Sequence, residues 1–311
     1  MNSDATGCDH GEADPPSILH GTIDLRTTDA DILDSWRSIL RSIPSLPIEV
    51  PLEPFQTEWN LARSMGDDSR WMLSGPDGAG TSFPVSSTEQ TVAYLEHLAC
   101  SAVLSHGGKS ALPVHAAAVA PSPRGMFAIV GSGTSGKSST SALLWESGWS
   151  LHGDDRCFLF ERETSTPLIV PIPRRISLRL PALTLLKEST RDAILGDPHT
   201  GTAHSKEDPE NSRINFRPSS VRPEPHDPSF DLKAIVLLEP DVSPTPERLD
   251  IASAIRPLLS CTAIHDHQTP VDTLTPWLSV LDQVPLFRVG RSSPQEMVGH
   301  FGQLAEQLEL V

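Results

Sequence analysis

Met126-Phe127-Ala128-Ile129-Val130-Gly131-Ser132-Gly133-Thr134-Ser135-Gly136-Lys137-Ser138 is the stretch from which the chain is best read. Residues 126–130 form an apolar run of strand length. Gly131 to Ser138 follow at once and match G-x-x-x-x-G-K-[ST] in full. Beyond them, Ser141-Ala142-Leu143-Leu144-Trp145 can open a helix. Strand, Gly-rich loop and helix in that order are the setting in which such a loop wraps a phosphate. Gly131, Gly133 and Gly136 tolerate positive φ and let the backbone come close to a ligand. Successive N–H groups, with a helix N-terminus behind them, make a concave anion site. Lys137 is expected to reach the β- and γ-phosphates of ATP, and Ser138 to offer its hydroxyl to Mg²⁺. Ser132, Thr134, Ser135 and Ser139 complete the expected contact set. The alternative is a Gly/Ser-rich turn that binds nothing, and the complete motif in its proper context argues against it.

A second signal lies at Gly153-Asp154-Asp155, between Trp149-Ser150-Leu151-His152 and the apolar Cys157-Phe158-Leu159-Phe160. Asp154 comes seventeen positions after Lys137, room for a helix of about three turns and a short return strand. Two adjacent carboxylates beside a triphosphate have two natural tasks. One holds Mg²⁺, and the other takes the proton of an attacking hydroxyl. Repulsion between them pushes one pKa upward, which suits a base. Gly-Asp-Asp is also good turn chemistry, so a solvated turn is the competing reading.

The order Val114-His115, a short strand, a second strand, the phosphate loop, a helix and then Gly-Asp-Asp resembles the catalytic domain of bacterial HPr kinase/phosphorylase. It is also similar to the smaller relatives encoded with peptide-modification systems, the lasso-peptide tailoring kinases among them. The specific match covers residues 115–160, and similarity in element order alone continues to the C-terminus. The resemblance implies an α/β fold: a phosphoenolpyruvate-carboxykinase-like P-loop kinase core with a mixed β-sheet. It implies ATP and Mg²⁺, and transfer of phosphate to a Ser hydroxyl of a peptide or small protein, a ribosomal peptide precursor being one such acceptor. Asp154 is then the base, Asp155 stands near the metal, and His115 lies near the transferred phosphate. Read without the family, His115 is an ordinary half-buried strand histidine. Ser139 departs from the pattern, since family loops commonly carry Glu there.

Composition bounds the partners. The chain has 311 residues, 40 acidic against 24 basic, and a formal net charge of −16. That balance disfavours nucleic acid, whose phosphates dominate its affinity for proteins, and an anionic membrane surface. The polar, acidic N-terminus reads as neither signal nor transit peptide, and no apolar run is long enough to span a bilayer. Cys8, Cys100, Cys157 and Cys261 are scattered without a C-x-x-C pair and read as reduced thiols of a cytoplasmic protein. His265-Asp266-His267 reads as a polar loop.

Along the chain, residues 1–17 are expected to be a disordered tail, 18–110 a small N-terminal α+β supporting subdomain, and 111–311 the nucleotide-binding catalytic domain. Ile18–Leu25 predicts a strand, and Asp29–Ile43 a helix with Asp29 as cap. Trp59–Leu73 gives mixed signals, Ser74–Gly78 is a turn, and Ser87–Ser105 predicts a second helix. Leu112–Ala120 and Met126–Val130 pair as strands. Leu168–Val170 and Ile176–Leu178 are further strands, and the Arg174-Arg175 pair between them reads equally as a phosphate or substrate clamp and as a solvated turn. Pro181–Ser189 predicts a short helix. Residues 190–230, Pro-rich and poor in apolar side chains, read as a long mobile loop or plain linker broken by a strand at Arg213–Arg217. The family resemblance makes Arg213 and Arg217 candidates for phosphate or substrate contact. Leu232–Leu238 is a buried strand, Arg248–Cys261 and Thr273–Leu281 are helices, and Pro285–Val289 is a late strand. Ser293-Pro294-Gln295-Glu296 opens the last helix.

The leading expectation is an ATP-dependent kinase acting on a hydroxyl. A P-loop ATPase or nucleotide-dependent regulatory protein, a nucleotide-binding partner without turnover, and a metabolite kinase remain alternatives. The resemblance is to a family of hexamers and so allows a homo-oligomer.

Overall fold

A computed structural model describes residues 17–18, 21–42, 55–64, 67–74, 80–84, 91, 95, 111–162, 166–171, 175–197, 200–203, 212–222, 230–262 and 269–311. The chain falls into two compact units, residues 1–45 with 53–99 and residues 46–52 with 100–311. The loop at Ser74–Gly78 beyond Ser74, the His265–His267 cluster, Cys8, Cys100 and Arg174 lie outside the described residues.

The first unit carries a five-stranded sheet in the order β1-β2-β3-β4-β5. Its strands are β1 (Ser17–Ile18), β2 (Gly21–Thr27), β3 (Phe55–Ser64), β4 (Asp67–Ser74) and β5 (Gly80–Pro84). β2 and β3 run parallel and the other neighbours antiparallel. Helix α1 (Ala30–Ser42) starts where Asp29 Oδ1 accepts the Ile32 N–H at 3.1 Å, a side-chain cap for an orphan donor. Trp59, Leu61, Trp71 and Leu73 are buried. Their spacing of two resolves the mixed signal of residues 59–73 into two antiparallel strands that share a buried face. Of the helix expected over 87–105, only Thr91 and Leu95 are described, both helical and buried.

The second unit is built on a six-stranded mixed sheet. Its relevant elements begin with β6 (Ala111–Val114), β7 (Ala116–Ser122), β8 (Gly125–Val130), α2 (Lys137–Glu146), β9 (Ser150–Asp154), β10 (Cys157–Phe160), β11 (Leu168–Pro171) and β12 (Ile176–Arg179). There follow α3 (Leu180–Leu183), α4 (Glu188–Gly196), β13 (Gly201–Ala203), β14 (Arg213–Phe216), α5 (Pro218–Val221), β15 (Leu232–Leu238), β16 (Glu247–Leu249) and α6 (Ile251–Cys261). The chain ends with α7 (Pro270–Leu274), a 3₁₀ turn at Thr275–Trp277, α8 (Leu278–Leu281), β17 (Leu286–Val289) and α9 (Pro294–Gln307). The large sheet has the order β16-β17-β15-β8-β7-β9, with β15 parallel to both β8 and β17. Two antiparallel three-stranded sheets, β11-β10-β6 and β12-β14-β13, lie outside it.

Period-two alternation sorts the central strands between two cores. Phe127 and Ile129, Ala117 and Val119, Val236 and Leu238, and Phe287 and Val289 face one core. Met126, Ala128 and Val130, Ala116 and Ala118, and Ile235 and Leu237 face the other. On the first face pack α2, α9 and the inner side of β12 and β14. On the second pack β6, β10 and α6. Both faces are covered, which is why the strands read as unbroken apolar runs. Thr140 to Trp145 are all buried, so this part of α2 is enclosed on every side. Trp145 meets Phe216 at a ring distance of 5.7 Å, and Phe127 meets Trp149 edge-on at 5.5 Å.

Several expectations give way here. Residues 112–120 are not one strand: the chain passes from one sheet to another at His115. Helix α2 begins at Lys137, a turn before the expected Ser141. The stretch from 190 is not wholly loop, because α4 runs to Gly196 and β13, β14 and α5 follow. The helix expected from Arg248 is a strand to Leu249, then a helix capped by Asp250, whose Oδ1 accepts from Ser253 N–H at 2.8 Å. The segment expected as one helix over 273–281 is two short helices joined by the 3₁₀ turn. The last helix opens as its sequence requires, with Ser293 and Glu296 capping each other. No described helix is long and apolar enough to cross a membrane.

Candidate active site

β8 delivers the loop Gly131–Ser138 from the middle of the large sheet, and α2 carries it away. Gly136 caps α2 at φ 102°, a left-handed conformation that a side chain would strain. Gly131 is needed for a different reason. A Cβ there would run into Ser135 Oγ and lie 2.8 Å from the Leu238 carbonyl oxygen of β15. Gly133 meets neither demand, and Thr134 rather than Gly133 takes positive φ, at 68°. Gly131→Ala is therefore expected to displace the loop and weaken ATP binding by roughly 10-fold or more, the loss of one charge-assisted hydrogen bond. Isothermal titration checks this, with circular dichroism unchanged.

Lys137 sits in the first turn of α2 and is 7% exposed. Its Nζ donates to the carbonyl oxygens of Gly131 at 2.7 Å and Ser132 at 3.1 Å, folding the side chain across the loop. Burial pushes its ammonium below the usual lysine range, against the pull of Cys261, Asp154 and Asp155. The cation is thus held by groups that a phosphate would replace.

Asp154 ends β9, which pairs with β7 through Ala117 opposite Asp154. It is 6% exposed. Oδ1 accepts from Ser141 Oγ at 3.4 Å and Oδ2 from the Ser177 N–H at 3.5 Å. Burial pushes the Asp154 carboxyl up to about 7. The Ser138 hydroxyl and Ser177 N–H oppose that rise, Asp155 adds to it, and Lys137 opposes it. A carboxyl near neutrality, buried beside a phosphate loop, has the proton affinity a general base needs. The competing picture of a solvated turn does not describe Asp154, though it fits its neighbour better. Asp155 lies in the bend before β10 with its side chain 37% exposed.

His115 stands at the crossing between sheets. Its backbone N–H donates to the Cys261 carbonyl at 2.6 Å. Its Nδ1 lies 2.7 Å from the backbone oxygen of Asp155 and 2.9 Å from Asp155 Oδ1. Two oxygen acceptors at one ring nitrogen place the proton on Nδ1 and leave Nε2 without it in the neutral ring. The histidine and Asp155 thus fix each other.

These groups line one cavity of about 340 Å³, which gathers His115, Gly133 to Ser139, Asp154 and Asp155. Arg213 joins them, whereas Arg175, Arg217, Gly131 and Ser132 are not among the lining residues, and the last two border a separate cavity instead. Ser177, Leu178, Arg179 and Ala182 complete the wall, and none of them stood out in the sequence. The alternation Ile176-Ser177-Leu178-Arg179 carried the missing signal, since buried Ile176 and Leu178 put Ser177 and Arg179 on one face. Ser138 and Asp155 supply hard oxygen donors suited to Mg²⁺. No group of three or more His, Cys, Asp or Glu among the described residues could hold a metal alone, so phosphate and water oxygens would complete its shell, as is usual for this ion.

No protein-family model and no curated protein matches the chain. Among solved structures it is similar to the Hpr(Ser) kinase/phosphatase from Coxiella burnetii, at 12% identity, over 63% of this chain and 98% of that one, with a TM-score of 0.33. The functional reading is carried by the cavity's own residues.

Proposed function

We propose that the protein is an ATP-dependent kinase that transfers the γ-phosphate to a hydroxyl. The observation that carries this is the buried carboxyl of Asp154 in the same cavity as residues 133–139 of the phosphate-binding motif and its helix. ATP binds with its phosphates on the amides of residues 132–138 and Lys137 at the β- and γ-phosphates. Ser138 and Asp155 would hold Mg²⁺, which would neutralise phosphate charge when bound. Asp154 takes the acceptor's proton, the acceptor oxygen bonds to the γ-phosphorus, and the bond from that phosphorus to ADP breaks. His115 keeps Asp155 in place. Positioning and charge stabilisation are what phosphoryl transfer chiefly asks of a protein.

The finer reading is of a small N-terminal subdomain followed in sequence by a phosphoenolpyruvate-carboxykinase-like core, at work in the cytoplasm on a Ser hydroxyl of a peptide or small protein. It is supported by the resemblance of residues 115–160 to HPr-kinase-like enzymes. Incubation with γ-labelled ATP and Mg²⁺, with and without the peptides and proteins encoded beside this gene, tests it. Label on a partner, lost in Lys137→Ala, is the expected result. Label released only as free phosphate, unchanged by any partner, would replace the kinase with an ATPase.

A further inference from the structure

Ser141 is a polar residue where the fold asks for none. It lies inside the buried run Thr140 to Trp145 of α2, at 0% exposure. Alanine favours a helix more than serine does, and a hydroxyl shut away from water is costly unless it is bonded. The Ser141 hydroxyl meets two acceptors. One is local, the Ser138 carbonyl oxygen at 3.1 Å, the back-bond that a buried helical serine commonly makes. The other is Asp154 Oδ1 at 3.4 Å, across to the end of β9. The local bond alone would satisfy the hydroxyl, so burial does not require the second contact.

An Asp carboxylate turns about a broad, roughly two-fold terminal torsion. Asp154 has a partner on each oxygen, the Ser141 hydroxyl on Oδ1 and the Ser177 N–H on Oδ2. The two come from different elements, α2 and β12, and together they hold the carboxylate plane. The Ser138 hydroxyl also bonds to Asp154, but the kinase reading gives that oxygen to Mg²⁺. Ser141 has no such second task, and it is not among the residues lining the cavity of the phosphate loop. It therefore touches the base from behind, away from the reacting atoms. At 3.4 Å the contact is long for an O–H···O bond, and contacts to a general base commonly tighten when substrate arrives. We propose that Ser141 is a positioning residue: its hydroxyl ties Asp154 to the turn of α2 that bears Ser138, so that the base keeps one orientation toward the acceptor oxygen. This rests on the kinase reading above and adds a residue to it.

The test follows labelled phosphate from γ-labelled ATP and Mg²⁺ with the full chain, water being the acceptor present in every assay. Ser141→Ala is expected to fold as wild type by circular dichroism and to lower kcat by roughly 10- to 100-fold, from the loss of one hydrogen bond to a charged group up to a misplacement of the base. KM for ATP should not change, because the loop amides and Lys137 are untouched. Ser141→Cys, close in size and a weaker donor, should fall between the two. In the Asp154→Asn background Ser141→Ala should cost nothing further, whereas a role in packing alone would slow or unfold both backgrounds alike. A Ser141→Ala chain as fast as wild type, a rise in KM in place of a fall in kcat, or the same loss in the Asp154→Asn background overturns the positioning role and leaves the kinase standing. A wild-type chain that releases no phosphate and labels none of the proteins encoded beside its gene overturns the kinase reading and the role with it.

Discussion

Asp154→Asn is expected to abolish phosphoryl transfer and, at the same time, to make the nucleotide-free protein more stable at pH 8. The first effect is the loss of the proposed base, roughly 10²- to 10⁴-fold, with ATP affinity retained because the loop and Lys137 are untouched. The second follows from linkage. The folded protein holds the Asp154 proton to about pH 7, against an ordinary value of 3.8. Between those values the native state binds more protons than the unfolded chain, so stability falls as pH rises through that window. Below about pH 4 both states are protonated and the penalty vanishes. Above about pH 7 it is fully present, at about 1.4 kcal/mol for each pH unit that separates the folded from the unfolded value, hence up to about 4 kcal/mol. Asparagine has the same shape and no charge to desolvate. For a unit of this size the melting temperature should rise by up to roughly 8–16 °C at pH 8 and change little at pH 4. Scanning calorimetry at the two pH values decides it. An equal change at both, or a lower melting temperature at pH 8, would show that the carboxyl is ionised at no cost and is not the base.

Lys137→Met should separate from Asp154→Asn by what it loses first. The methionine fills a similar volume but removes the cation and both donations to the loop carbonyls of Gly131 and Ser132. Binding of ATP and of pyrophosphate is expected to weaken strongly, and kcat/KM to fall by about 10³-fold, the scale seen when one preorganised charge-stabilising donor is removed. Titration with pyrophosphate isolates the anion site from the nucleoside. Retention of wild-type pyrophosphate affinity in Lys137→Met would place the phosphates elsewhere in the molecule.

How much of this the sequence disclosed depended on how local each signal was. The phosphate-binding motif and its flanking strand are contiguous, and β15 is a near-continuous apolar run broken only by Lys233, so both were legible. The last helix announces itself through Ser293, Pro294 and Glu296 within four residues. The crossing at His115 was hidden because Leu112–Ala120 is apolar on both sides of it, and nothing in composition tells which sheet a strand joins. The burial of Asp154 was hidden for a related reason. Gly153-Asp154-Asp155 has turn chemistry, and only the pairing of β9 with β7 takes the first carboxylate out of water. Arg179 and Arg213 are register partners on strands far apart in sequence, so their opposition exists only in three dimensions. At Asp250 the signal was present and outweighed: an N-cap residue stood inside what periodicity took for a longer helix.

The enclosure of α2 has a consequence for how this protein can diverge. Six consecutive positions, Thr140 to Trp145, are walled in on every side, and the first three of them are small. A surface helix has an outward stripe on which substitutions are nearly neutral. This one has none, and a larger side chain at Ser141 or Ala142 would have to separate a sheet from its neighbours. Sequence drift is therefore expected to collect on the outer elements, and this turn and a half of helix to tolerate the least change. Distant kin of the chain are best sought by that short segment rather than by similarity averaged over its length.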